Sequence, residues 1–405
     1  MTITLQDIEE AALRLGKAVS NTRCEKSFTL TDIAGTEIFN KFENLQFTAS
    51  FKDRGALNKL MRLQEDGLST GVIAVSTGNH AKAVAYHAQR LGIEATIVMP
   101  LNTPNVKVQD TKSLGVRVVL FGKTVDAAAV HACELEAAEN LVFVHPFDDP
   151  DIIAGQGTVA LEMLEQVPEL DAIVVRVGGG GLIAGVAIAV KALKPDIKIY
   201  GVQAEAYQSV HGALHDHDKH TGGSTIAEGI AVKQPGKHTL EIIHRLVDDI
   251  LIVNEESIEE ARNLYLSIEK TVSEGAGAAP LAATLHNKEV FAGLKTGLIL
   301  SGANIDSRIL ASVLMRRLVK LGRIVQFLIE MDDSPGSLSE VAAVISEYGG
   351  NILDVSHQRM FASVPIKRAE LYLTVETRDA TQTQDILGRL KELGYKARLL
   401  SDFKE

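Results

Sequence analysis

The sequence predicts an α/β protein. A two-lobed unit of parallel sheets comes first, followed by a smaller domain of ferredoxin-like order. Three observations predict it. Short apolar runs alternate with helix-length segments through most of the 405 residues, which is the signature of repeated βαβ units. Several runs end in glycine or hydroxyl residues just before a helical stretch, as strands of an open parallel sheet do where they present their carboxyl ends. After Gly322 the alternation gives way to a βαββαβ order.

The elements follow in turn. Gly71-Val72-Ile73-Ala74-Val75 is a β-rich run followed by a helical stretch from His80 to Leu91. Ala95–Met99 is the next strand, then a helix before Gly115, then Val116–Leu120. A helix from Thr124 to Asn140 leads to Leu141–Val144. The runs are continuously apolar rather than alternating, as strands covered on both faces require. A second series comprises Ala172–Val177, a helix from Leu182 to Leu193, Ile197–Val202 and Gly297–Leu300. Two α/β lobes sharing the chain in a nested way explain both series, with the small lobe at about residues 45–150. From Arg323 come strand Ile324–Met331, helix Ser337–Tyr348, strands Asn351–Met360 and Arg368–Thr377, helix Thr381–Leu393 and strand Lys396–Leu400. The expected division is therefore 1–322 and 323–405.

The net charge of −11, with no basic stripe, argues against a nucleic-acid or anionic-membrane partner. No stretch is long and apolar enough to span a bilayer. The first residues have neither the basic start nor the apolar run of a secretion signal. Cys24 and Cys133 are too few for a disulfide framework and lack metal spacing. A cytoplasmic protein is expected.

Four segments carry chemistry. Lys52 lies in Ser50-Phe51-Lys52-Asp53-Arg54-Gly55-Ala56. Ser50 suits a helix N-cap, which would put Lys52 in the first turn, where the helix dipole disfavours a cation and keeps an amine nucleophilic. Gly178, Gly179, Gly180 and Gly181 join a strand to a helix. Bare backbone amides at a helix N-terminus form an anion site. The spacing is neither that of a Walker loop nor that of a dinucleotide fingerprint, so one phosphate is the expected occupant. Ser76-Thr77-Gly78-Asn79-His80 ends a strand with groups able to grip a carboxylate. Ser301-Gly302-Ala303-Asn304 ends another and offers a hydroxyl to a ring nitrogen. An amine that forms an imine and a cup for one phosphate are what pyridoxal phosphate needs.

With these motifs, and with Phe42–Gln46, Val144–Asp149, Gly155–Thr158 and Glu274–Ala278 in the same order, the chain resembles the threonine dehydratases. These are fold-type II (tryptophan synthase β-like) pyridoxal-phosphate enzymes. The resemblance runs from about Leu5 to Gly322, and the remainder resembles an ACT regulatory domain. It implies that Lys52 carries the Schiff base and moves the Cα proton, that Phe51 packs by the cofactor ring and that Asn79 bonds the ring hydroxyl. It implies further that Gly178–Gly181 hold the phosphate and that Ser301 faces the pyridine nitrogen. Ser76, Thr77, Gly78, Asn79 and His80 would bind the substrate carboxylate. The implied activity is conversion of L-threonine, and also L-serine, to a 2-oxo acid and ammonia.

Some positions depart from the usual family pattern: Thr77, Lys82, Ala83, Ala49 and Ala303. A hydroxyl residue at 77 occurs in serine racemase and hydroxyaspartate dehydratase relatives, where it can exchange the Cα proton from the other face. Lys82 is an expected contact for a substrate with a second acidic group. Racemisation or 3-hydroxyaspartate dehydration on this scaffold is thus one alternative. A catalytically inert amino-acid sensor is another, of a different class. The relatives' cation-binding carboxylate is Gln203 here, and no metal site is expected. His211, His215, His217 and His220 read as a loop rather than a ligand set. In the ACT-like domain, Asp332–Ser337 and Asn351 mark the region that binds amino-acid effectors between paired subunits, so a dimer or tetramer is expected.

Overall fold

A computed structural model describes residues 3–67, 69–215, 221–359, 365 and 367–400. His217, His220 and the expected strand end at Met360 lie outside the described residues. The chain divides into two compact units, 1–305 and 306–405.

The first unit contains two sheets. The larger has the spatial order Cys24–Ser27, Glu37–Lys41, Lys295–Ile299, Ala172–Arg176, Lys198–Ala204 and Asp249–Val253. Only its first pair is antiparallel. The smaller sheet is parallel, in the order Arg117–Leu120, Ala95–Met99, Val72–Val75 and Val142–Phe143. Its strands fall between two strands of the larger sheet in sequence, which is the nested arrangement expected. Three strands of the larger sheet were not anticipated: Cys24–Ser27, Glu37–Lys41 and Asp249–Val253. The first two are short and charged, and their apolar content is too low to register as a run.

Because side chains alternate across a strand, the larger sheet buries two cores. Val175, Val186 and Ile199 belong to one. Val174, Val202, Ala279 and Leu298 belong to the other. The smaller sheet is likewise covered on both faces, with Ala74, Val84 and Ile97 on one side and Ile73, Val98 and Ala128 on the other.

The second unit carries a four-stranded antiparallel sheet in the order Asn351–Gln358, Arg368–Glu376, Ile324–Asp332 and Lys396–Leu399. The helices Ser337–Glu347 and Ala380–Glu392 accompany it. This is the ferredoxin-like order expected. The helix Ser307–Lys320 belongs to this unit as well. Among the described residues no helix is long and apolar enough to cross a membrane.

Candidate active site

Lys52 is the first residue of the helix Lys52–Glu65. The cap is not Ser50, as expected, but Phe51, whose side chain makes no capping bond. Ser50 instead forms an isolated antiparallel bridge with Gly302, and its hydroxyl is buried without a partner. The bridge fastens the lysine segment to the segment after strand Lys295–Ile299. The Phe51 amide donates to the Ser301 carbonyl at 3.1 Å, and the Ala303 amide to the Ala49 carbonyl at 2.9 Å. Ala49 sits at φ 60°, a left-handed backbone that suits glycine better.

The Lys52 amine donates to the Pro146 carbonyl. It is pushed down from 10.5 to about 7, first by burial and then by the positive charge of Arg176, with Glu274 opposing. His80 Nε2 donates to the Val144 carbonyl oxygen at 2.9 Å. Burial, followed by the charge of Lys52, pushes His80 down to about 3. His145 is lowered too, with burial as the leading cause. Its Nδ1 accepts from the amides of Phe147 and Asp148 at 3.2 and 2.7 Å.

The glycine loop packs against Phe147, next in sequence to the Pro146 whose carbonyl accepts from Lys52. A Cβ at Gly179 would meet the Phe147 ring at 2.3 Å, and Gly180 has φ +98° with Thr239 at 2.8 Å. Only glycine threads this gap. The Gly179 carbonyl accepts from Thr239 Oγ1 at 2.6 Å, so the loop is anchored through its carbonyl. The amides of Gly178 to Ile183 donate to no group among the described residues. They open the helix Gly181–Leu193, which has no side-chain cap. An anion is the natural partner for such a set.

Asn79 opens the helix Asn79–Leu91. Its Nδ2 donates to both oxygens of Glu274 at 2.9 and 3.0 Å, while its Oδ1 is buried without a partner. The Ser301 hydroxyl is also buried and unpartnered. Orphaned buried polar atoms are costly unless something completes them. Two lone polar atoms, six free amides and a buried lysine of lowered proton affinity fit a pyridine ring bearing a phosphate and an aldehyde. Asn79 and Ser301 would hold the ring, Gly178–Gly181 the phosphate and Lys52 the aldehyde carbon.

Ser76, Thr77 and Gly78 are half-buried at the end of the strand Val72–Val75, and Ser76 Oγ accepts from the Gly78 amide at 3.1 Å. Lys82 stands apart from this group. Its ammonium bonds Asp110 at 3.1 Å and Asn304 Oδ1 at 3.0 Å, so its charge is already engaged here. Gln203 is buried. Its Oε1 accepts from the amides of Val210 and His211 at 3.0 and 2.9 Å, so it ties down the start of the helix Ser209–Leu214, which places His211 in a helix rather than in the expected loop. Among the described residues no cluster could hold a metal ion.

Two side chains at the centre were given no role from the sequence. Glu274 appeared only within a motif. Arg176, 5% exposed, ends the strand Ala172–Arg176, and its guanidinium carbon lies 4.8 Å from the centre of the Phe51 ring. The signal was available, since a charge inside an otherwise apolar parallel strand is rare unless paired or used.

These features define a pyridoxal-phosphate site on an open α/β scaffold, and the comparisons agree. Residues 15–302 match the family described as pyridoxal-phosphate dependent enzyme, and residues 325–395 match the ACT domain. The chain belongs to the pyridoxal-phosphate-dependent enzymes of fold-type II and carries an ACT domain at its C-terminal end. It is 43% identical over 400 residues to a curated L-threonine ammonia-lyase of Thermotoga maritima, covering 98% of this chain and 100% of that one. Among solved structures, maize serine racemase is similar with a TM-score of 0.74 and 34% identity, over 78% of this chain and 98% of that chain. The processed form of threonine deaminase isoform 2 from Solanum lycopersicum is similar with a TM-score of 0.72 and 35% identity. That match covers 76% of this chain and 87% of that chain.

Proposed function

We propose that the protein is an L-threonine ammonia-lyase, acting also on L-serine, that releases 2-oxobutanoate (or pyruvate) and ammonia. The observation that carries this is the buried Lys52 amine, its proton affinity lowered to about 7, near a loop of free amides, in a chain alike over 98% of its length to an ammonia-lyase. When bound, pyridoxal phosphate withdraws electrons from the substrate's amino carbon and so acidifies its Cα–H. Lys52 would hold the cofactor between turnovers and would take the Cα proton during them. Ser76, Thr77, Gly78, Asn79 and His80 hold the substrate carboxylate through the hydroxyls and backbone at this strand end, which fixes the Cα–H bond towards Lys52. His80 acts there as a neutral ring, since its charged form is strongly disfavoured. Ser301 would offer a hydroxyl rather than a carboxylate to the ring nitrogen and so would leave it unprotonated. Thr77 is the candidate proton carrier on the opposite face. Loss of hydroxide from Cβ, with proton help, gives an enamine that hydrolyses to the 2-oxo acid and ammonia.

Residues 1–322 would form the catalytic domain and 323–405 the regulatory one. We place an amino-acid effector near Asp332–Ser337 and Asn351, in a homo-oligomer of paired ACT domains, a dimer or tetramer, in the cytoplasm. Such a ligand regulates only if it binds two states of the enzyme unequally.

The test is release of 2-oxo acid and ammonia from L-threonine, L-serine, L-threo-3-hydroxyaspartate and D-serine, each at matched concentration. L-Threonine should give the highest kcat/KM. Preference for hydroxyaspartate, or racemisation of serine exceeding its deamination, would replace this reading. No turnover at all, with no absorbance change on adding any of the four, would make the protein a sensor.

A further inference from the structure

Arg54 and Arg176 are both buried arginines, but only Arg54 is accounted for by ion pairs. Arg176 Nη1 donates to the Gly229 carbonyl at 2.7 Å. The one carboxylate within 4 Å of it among the described residues is Glu274, at 3.9 Å. That carboxylate is engaged by Asn79 at shorter range. The guanidinium is therefore only partly compensated. It also shares a ring with the reactive amine, because Lys52 Nζ lies 5.3 Å and Arg176 Cζ 4.8 Å from the centre of Phe51.

We propose that Arg176 is a positioning residue for the reactive amine: its buried, undercompensated charge keeps Lys52 in the free-base form that attacks the cofactor's aldehyde. This deepens the reading given above and rests on it. The physical reason is direct. Two cations enclosed beside one aromatic ring repel strongly in a medium of low polarity. One of them must give up its proton, and a guanidinium does so far less readily than an ammonium. The other groups facing Lys52 do not reverse the outcome. His80, from the helix Asn79–Leu91, and His145, beside Pro146, are both biased to the neutral form by burial. Glu274 favours the ammonium, but the Arg176 guanidinium and the Asn79 amide act on that same carboxylate. Asp53, next in sequence to Lys52, is spent on the Thr48 amide at 3.0 Å and its hydroxyl. Asp148 accepts from the amides of Lys237 and Thr239 at 2.9 and 3.0 Å. Asp149 pairs with Lys59 at 2.8 Å.

The experiment uses the full-length protein, stripped of cofactor and reloaded with pyridoxal phosphate. The loading rate is followed by absorbance from pH 5.5 to 10.5. The wild-type rate should rise with a midpoint near 7. Arg176→Gln should move the midpoint up by a pH unit or more, slowing loading at pH 7 about tenfold and leaving the alkaline plateau unchanged. Arg176→Lys, which keeps a charge, should restore the low midpoint. Glu274→Gln, which removes the opposing charge, should lower it further. An unchanged midpoint in Arg176→Gln would overturn the proposal, and so would a lowered plateau with no shift, which is what a merely structural arginine gives. If Arg176→Gln does not fold, Glu274→Gln decides, and a midpoint that stays or rises overturns it. Threonine turnover by the wild type is measured in parallel. Its absence with the midpoint shifts intact would reject the threonine reading and leave the role of Arg176 standing. The reverse pattern would reject only the role.

Discussion

Arg54 and Arg176 lie in the same unit and are 1% and 5% exposed, yet their surroundings differ. Arg54 donates to Glu43 from Nε and Nη2, each at 2.7 Å, and to Glu162 from Nη1 and Nη2 at 2.7 and 2.8 Å. Lys41 joins the same network at Glu162, 2.5 Å away. Burial alone would favour a neutral Arg54, but the two carboxylates hold it charged. For Arg176, burial prevails over the single, more distant carboxylate, and its affinity for the proton falls. A fully paired arginine is a fastener. An underpaired one leaves a field in its neighbourhood, and its neighbour is the reactive lysine. Only Asp53 separates Lys52 from Arg54, so the fastener also fixes the turn on which the amine stands.

The largest effect should come from the amine itself. Lys52→Ala should lower threonine turnover on the order of 10³-fold or more, since both cofactor attachment and Cα proton transfer are lost. Steady-state assays of cofactor-saturated protein measure this. Next come the arginines. Arg54→Met strands the buried Glu43 carboxylate and takes one of two cations from Glu162, and should cost about 3–5 kcal/mol in urea unfolding. Arg176→Met removes one hydrogen bond and should cost only about 1 kcal/mol. Equal costs would erase the distinction.

A smaller effect is the pH dependence of the cofactor-free protein. The unfolded lysine keeps its proton up to 10.5, while the native one yields it near 7. Between these values the unfolded state binds more protons, so native stability should rise with pH across the window. Lys52→Ala should lack that contribution, and matched thermal melts at pH 7 and 9.5 reveal it. The smallest effect belongs to Lys82→Gln. Its ammonium is already bound by Asp110 and Asn304, so substrate preference should not change and stability should shift by at most about 1 kcal/mol. A loss confined to hydroxyaspartate would return Lys82 to the substrate site.

The long apolar strands and the glycine loop were legible because burial on both faces and close backbone approach leave few residue choices. Strand Ala172–Arg176, the cup Gly178–Gly181 and the βαββαβ tail follow from that. Strand Cys24–Ser27 was not legible, because it is charged and pairs along a sheet edge. Lys52, Asn79 and Ser301 could be picked out from their places after strands or at a helix start. Their partners could not, since the Asn79–Glu274 contact joins residues far apart in sequence. Ser50 shows the limit of local rules. A serine before a helix suits a cap, but the pairing with Gly302 took precedence. Arg176 was visible as an anomaly whose meaning depended on Phe51 and Lys52 arriving beside it.

The most direct test of the account is where the cofactor attaches. Borohydride reduction of the loaded protein, followed by peptide mapping, should place the pyridoxyl group on the peptide containing Lys52 and on no other. Label on a different lysine, or none on Lys52, would contradict the account.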